Sequence, residues 1–325
     1  MNIKKRIIKA ILIILMGLTV VFAIQLVRGF IGSQIIKDEN NFTGSDLGEG
    51  NKIEQKNKDE LLFVFAGVDA TGEKFGTRTD TLMLVLMNKE NKTIDIISIP
   101  RDTRVNVDGN MDKINAAHSY GGMDDTIKTI RNFLSIDLDY YAEVSFQAVE
   151  DGVDALGGVD INVPDQIATA QNIQAGLHHF NGKEALDYCR FRKGYANADL
   201  GRISCQQDFV VQFIKNMTKP KNIIKIPGVI SKVSSSMDSN ISMTTILSFA
   251  WAFKNIDDAQ INTQTIPGYP DMIDGISYYI PDNEATIDIR NKILYNYLLE
   301  EWRRNYGHQI NNKSNWRLPK RRNII

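Results

Sequence analysis

The chain has 325 residues, 43% of them hydrophobic, and a formal net charge of −1. That is enough for one large domain or two small ones, and no global field favours nucleic acid. Two cysteines, Cys189 and Cys205, are too few for a disulfide scaffold.

In chain order, the first thirty residues differ from the rest. A basic head (Lys4, Lys5, Arg6, Lys9) opens an apolar run from Ile7 to Val27, broken only by Lys9, Thr19 and Gln25. As a helix this run spans about 30 Å, one hydrocarbon core. No small-x-small cleavage site follows it. The pattern predicts an uncleaved single-pass anchor over 7–29, with residues 1–6 in the cytoplasm and the rest of the chain outside. Residues 30–59 are polar and read as a tether.

Folded sequence is expected over 60–298. Leu61 to Val68 and Thr81 to Met87 are continuous apolar runs, the signature of strands buried on both faces. Residues 93–99 alternate more, and "NKENK" suits the turn of a hairpin. Spacing predicts a helix over 124–134, with Asp residues in its first turn. A strand follows at "YYAEVSF", then a helix over 146–158 ended by Gly157, then a strand at "VDINVP". His178 and His179 read as loop residues. Asn181 opens a short helix, "CRFR" reads as a strand end, and 200–217 is an amphipathic helix. Residues 220–299 carry weaker signals, and 299–325 form a basic, loose tail. Alternating strands and helices predict an α/β or α+β fold with a mixed central sheet.

The chemistry-bearing residues sit at element ends. Arg78 and Asp80 precede one apolar strand, Arg101 and Asp102 follow the next, and Asp69 closes the first. Arg190 and Arg192, two apart, would share a face of a strand; Arg202 and Gln206, four apart, share a face of a helix. Any one of these could be a surface ion pair of little consequence. Five arginines at element ends point instead to a polyanion site, because a guanidinium gives phosphate two parallel charge-assisted hydrogen bonds. Carboxylates beside phosphates repel unless a hard divalent cation bridges them, which makes Asp69 and Asp80 candidate Mg²⁺ ligands. The four histidines lack zinc spacing, and there is neither a Walker A loop nor a G-x-S-x-G elbow.

"GVD", "RTDTLMLV", "SIPRDTRV", "KINAAHSYGG", "DALGGVDINVP", "FNGKEALDYCRFR" and "DLGRISCQQ" occur in that order. Together they resemble the LytR-CpsA-Psr family of bacterial cell-envelope proteins, strongly over roughly 60–218 and loosely over 219–295. The resemblance implies a phosphotransferase on the extracellular face of a Gram-positive cell membrane. It would move an anionic glycopolymer, such as wall teichoic acid or capsule, from a polyprenyl-pyrophosphate carrier to a peptidoglycan acceptor. The fold implied has a hydrophobic pocket for the polyprenyl tail. Carried over by position, Asp69 and Asp80 become ligands of Mg²⁺ (or Mn²⁺). Arg78, Arg101, Arg190, Arg192 and Arg202 become the pyrophosphate clamp, with Gln206 assisting. Asp102 would orient Arg101, and Asp199 would cap the helix carrying Arg202. Cys205 stands where relatives commonly have a further arginine, which puts one phosphate contact in doubt.

Three other readings compete: hydrolysis of the pyrophosphate, non-catalytic presentation of a lipid-linked polymer, and the family's older label of transcriptional regulator. The last fits poorly with a folded part outside the cytoplasm and no basic recognition helix.

Overall fold

The computed structural model describes residues 58–69, 77–191, 198–257, 260–300 and 302. The chain divides into two units, 1–52 and 53–325, and all described residues belong to the second. The expected span over 7–29, nearly all of the tether and the end of the tail lie outside the described residues.

The strands in chain order are β1 (Glu60–Val68), β2 (Thr79–Asn88), β3 (Thr93–Ser98), β4 (Arg104–Val107), β5 (Asn110–Lys113), β6 (Tyr140–Ser145), β7 (Val159–Val163), β8 (Gly176–Phe180), β9 (Met237–Ser239), β10 (Ile261–Thr265), β11 (Gly268–Ile273) and β12 (Ile276–Pro281). Six of them form one mixed sheet in the order β10-β3-β2-β1-β6-β9. The pairs β1–β2 and β2–β3 are antiparallel, whereas β6 and β10 run parallel to their neighbours β1 and β3. The three other strand pairs, β4–β5, β7–β8 and β11–β12, are two-stranded ribbons.

The apolar runs of β1 and β2 have their cause in this layering. Leu62, Val64, Ala66, Leu82, Leu84 and Leu86 pack on one face with Ile127, Ile130 and Leu134. Leu61, Met83, Val85, Ile94 and Ile96 pack on the other with Phe249 and Phe253. A strand covered on both sides needs apolar residues at every position. A further core joins the helices Phe146–Leu156, Gly182–Arg190 and Ala198–Met217 to the β7–β8 ribbon.

Local signals explain several boundaries. Ser145 Oγ accepts from the Ala148 N–H, and Gly157, at φ 87°, closes the 146–156 helix in the left-handed region. Asn181 and Glu184 form a reciprocal capping box.

Three expectations need correction. The helix expected over 124–134 is the second half of a longer one, Ala116–Leu134, broken at Gly121 and Gly122, the latter at φ 66°. The Asp residues of its expected first turn follow that break. His178 and His179 lie in β8, paired with Ile161 and Asp160 of β7. The described part of "CRFR" is not a strand: the 182–190 helix runs through Cys189 and Arg190, with Phe191 extended after it. The capping box commits that backbone to helix nine residues upstream, beyond the reach of a two-residue alternation argument.

Candidate functional site

Two cavities meet at the carboxyl end of β1. One, of about 420 Å³, is polar and lined by Asp69, Thr77, Arg78, Asp80, Arg101, Asp102, Lys113 and Asn115. The other, of about 360 Å³, adds apolar walls from Phe65, Val144, Phe146, Val149, Leu186, Phe209 and Val210. Asp69 and Asp80 line both. Arg190, Arg202 and Gln206 line the second.

Sheet register builds the junction. β1 and β2 are antiparallel, with Val68 opposite Thr79, so the end of one strand and the start of the next deliver Asp69 and Asp80 to the same edge. The hairpin returns as β3, whose exit brings Arg101 to that edge as well. Arg101 Nη1 donates to Asp80 Oδ1 at 2.5 Å. Arg202 approaches the same oxygen, with Nη1 3.9 Å away. Arg202 is 3% exposed, so its charge is set against Asp80 inside the protein. Arg101, after the hairpin, thus pairs with Asp80, before it, across the hairpin mouth.

Asp102 stands between two cations. Its Oδ1 lies 2.9 Å from Lys113 Nζ and its Oδ2 lies 3.7 Å from Arg101 Nε. The expected orienting of Arg101 is therefore shared with Lys113, which is the nearer partner. Arg78 is exposed at the entrance to β2. Arg190, the last residue of its helix, lies over the Phe146 ring, 4.5 Å from the centroid. Arg192 lies outside the described residues. Asp199 is the second residue of the 198–217 helix rather than its cap, and its side chain is likewise outside the description.

The helix carrying Arg202 is tied down by its neighbours. Gln206 faces the cleft, while Gln207 donates to Ser98 Oγ, the Gln264 carbonyl and Thr265 Oγ1 on β3 and β10. Tyr188 donates its hydroxyl to Asp208 at 3.1 Å and so joins the Arg190 helix to the Arg202 helix. Burial, with the Asp208 charge beside it, pushes the Tyr188 hydroxyl far up and keeps it a donor.

Both cysteines are buried thiols. Cys205 is fully enclosed, packed with Val153, Ile161, Tyr188 and Phe209. Its side chain belongs to the core and is not part of the cleft lining. Cys189 does line the apolar cavity, and burial pushes its thiol well up, with Cys205 and Asp208 adding to the effect.

Residue-pattern reasoning missed Thr77, Lys113, Asn115 and His118. The last three fall in "KINAAHSYGG", a segment with no carboxylate to flag a clamp. His118 is 1% exposed. Its Nδ1 lies 2.8 Å from the Thr77 carbonyl and its Nε2 lies 3.3 Å from Glu143 Oε2, so both ring nitrogens face acceptors. Burial by itself would lower its pKa, but the Glu143 and Thr77 hydrogen bonds outweigh that, and the net shift is upward. These two contacts pin the segment that enters β2 just before Arg78.

The donor set around the junction fits a hard cation. Two carboxylates, Asp69 and Asp80, share the polar cavity with Asn115 Oδ1 and Thr77 Oγ1. Those last two oxygens are buried and find no hydrogen-bond partner among the described residues. An all-oxygen set with only two carboxylates suits Mg²⁺ or Mn²⁺ completed by substrate phosphates. Among the described residues no cluster of three or more His, Cys, Asp or Glu could cage a metal alone.

Comparison with known proteins gives the family of the chain. The LytR_cpsA_psr family model matches residues 33–293. The polyisoprenyl-teichoic acid–peptidoglycan teichoic acid transferase TagV of Bacillus subtilis (strain 168) is 32% identical over 311 residues, covering 88% of this chain and 79% of that protein. A TagU of the same description from Bacillus anthracis is 32% identical over 263 residues, covering 79% and 83%. The crystal structure of B. subtilis TagV superposes with a TM-score of 0.64 over 74% of this chain and 97% of that one, at 32% identity. TagT bound to LI-WTA superposes at 0.65 over 79% and 100%, at 26% identity.

Proposed function

This chain belongs to the LytR_cpsA_psr family, and from that premise we propose that it transfers an anionic glycopolymer of the teichoic acid kind from a polyprenyl-pyrophosphate carrier to peptidoglycan. The observation that carries the reading is the junction itself. One pair of carboxylates, Asp69 and Asp80, forms the shared wall of a cationic cavity and an apolar one. A pyrophosphate with a long hydrocarbon tail is a substrate whose two halves need those two environments side by side.

Each half is bound by a different force. The tail enters between Phe65, Val149, Leu186 and Phe209, where each buried CH₂ contributes about 0.8 kcal/mol. The pyrophosphate meets Arg101 and Arg202, already oriented by Asp80, with Arg78 and Arg190 at the margins. Arginines fixed before the substrate arrives need no reorganisation when charge builds on the phosphoryl oxygens. A sugar hydroxyl of peptidoglycan attacks the polymer-proximal phosphorus, a new P–O bond forms as the hydroxyl proton passes to solvent, the bond to the bridging oxygen breaks, and the lipid monophosphate leaves with the electron pair. Positioning and charge neutralisation account for most of the acceleration in such transfers. A Mg²⁺ held by Asp69 and Asp80 would supply further neutralisation of the pyrophosphate charge.

Location follows from the same substrate. The basic head and apolar run of the first thirty residues support a membrane anchor, with the cleft on the outer face, where lipid carrier and peptidoglycan meet.

The test is single-turnover transfer from a short-chain polyprenyl-pyrophosphate polymer to a peptidoglycan oligomer with Mg²⁺ present. The expected product is polymer linked to the oligomer, with one lipid monophosphate released per transfer. Release of free polymer alone would make the protein a hydrolase, and tight lipid binding with no turnover would make it a presenting protein.

A further inference from the structure

We propose that Asn115 is a further residue of the cation site, its side-chain oxygen accepting a hydrogen bond from a water held by the divalent cation at Asp69 and Asp80. The inference rests on the cation reading above and goes beyond it, since it draws on a segment to which that reading gave no role.

The argument starts from what Asn115 does not do. It immediately precedes the Ala116–Leu134 helix, where an asparagine oxygen normally caps a backbone N–H of the first turn. Here its backbone is already helical, at φ −70° and ψ −13°, and its side chain makes no capping hydrogen bond. Its backbone N–H is instead used by the Arg101 carbonyl at 3.2 Å, which fastens it to a residue of the clamp. Asn115 is 4% exposed, and its Oδ1 has no partner among the described residues. A buried acceptor left unmade is costly. The side chain lines the polar cavity beside Asp69, Asp80 and Thr77.

The chemistry of that cavity selects the missing partner. An acceptor needs a donor, and a pyrophosphate offers almost none at neutral pH. The neighbouring cationic side chains already face carboxylates: Arg101 faces Asp80, and Lys113 faces Asp102. Arg78, which lines the same cavity, is exposed at its entrance, and the donors that the cation reading brings beside Asp69 and Asp80 are the waters of a hard cation. Mg²⁺ characteristically keeps several of them, and each must be received by an oxygen. Thr77 Oγ1, also buried and lining the cavity, is placed to receive another.

Cation binding, measured without turnover, tests this. Mn²⁺ is titrated into the purified protein with inorganic pyrophosphate present, and free Mn²⁺ is read by electron paramagnetic resonance. Asn115→Ala should weaken Mn²⁺ binding by about tenfold or more, the scale of losing a group that supports a metal's ligands. Asn115→Asp keeps the oxygen and discards the N–H, so it should bind Mn²⁺ at least as tightly as the wild type. Unchanged affinity in Asn115→Ala overturns the proposal, as does an equal loss in both variants, which would mean that the amide N–H is the working end. If Asn115→Ala melts early without cation, the near-isosteric Asn115→Asp decides: tighter or equal binding supports the proposal, and weaker binding overturns it. Asp80→Ala separates the two layers. If it abolishes Mn²⁺ binding while Asn115→Ala does not alter it, only this inference fails. If Asp80→Ala binds as the wild type does, the cation reading fails and takes this inference with it.

Discussion

The two ends of the cleft are built by opposite means. The polar end is made at strand exits and entrances: Asp69 after β1, Arg78 and Asp80 at the start of β2, Arg101 and Asp102 after β3. Its side chains hold one another by charge, and their positions follow from sheet register. The apolar end is made from the faces of elements, with Phe65 and Val144 on strands and Phe146, Val149, Leu186 and Phe209 on helices. Its positions follow from how helices pack. The polar end is therefore specific in geometry and intolerant of exchange. The apolar end tolerates exchange as long as it stays apolar and keeps its volume.

Asp80 is where the comparison should break most visibly. It serves both cavities and both central arginines, so Asp80→Ala should lower single-turnover transfer by about 10³-fold or more, beyond the loss of one charge-stabilising group. Lipid binding through the apolar end should survive. A variant that still transfers at near wild-type rate would remove Asp80 from the centre of the site.

Arg101→Lys tests geometric intolerance at the polar end. A point charge cannot reproduce the two-pronged contact, so transfer should fall about a hundredfold while lipid affinity stays within about tenfold. Measuring both on the same samples shows whether they separate. A parallel fall would reduce the arginine to a holding role.

Val149→Asp is the converse experiment. A carboxylate on the apolar wall should weaken polyprenyl binding by about tenfold or more. Mn²⁺ affinity should not move, because Val149 lines only the apolar cavity. If cation affinity shifts as well, the two ends are not separable.

The smallest effect concerns pH. His118 has a raised pKa in the folded protein, so the stability it contributes is fully present below about 6.5 and is lost as pH climbs through the raised value. Wild type should melt about 2–4 °C above His118→Asn at pH 6, the scale of one hydrogen bond in a domain of this size, and the gap should narrow as pH rises. A gap that does not depend on pH would mean that the imidazole is held neutral. Among the described residues, the acidic side chain that faces the ring is Glu143.

Much of the sheet could be read from residue patterns. β1, β2, β3, β6 and β7 fall where apolar runs and alternation place them, because strand burial leaves a mark at every residue or every second one. The helix breaks at Gly121 and Gly122 and the extension of the 182–190 helix through Arg190 were not legible, since boundaries depend on caps and packing several residues away. At the site, charge was legible and partnership was not. Asp69, Asp80, Arg101 and Arg202 stand out by type and by their place at element ends. That Arg101 reaches Asp80, 21 residues back, required the β2–β3 register.

The composition of the chain, its element types and the roll of charged candidates are local properties, carried by periodicity over a few residues and by side-chain chemistry. The fold alone settled that Cys205 turns into the core, that Lys113 is the nearer partner of Asp102, and that Asn115 holds an unmet oxygen beside two carboxylates. Each is a contact between different elements of the fold. Such contacts depend on strand register and helix packing, which sum many weak terms along the whole chain, and no short window of residues contains that sum.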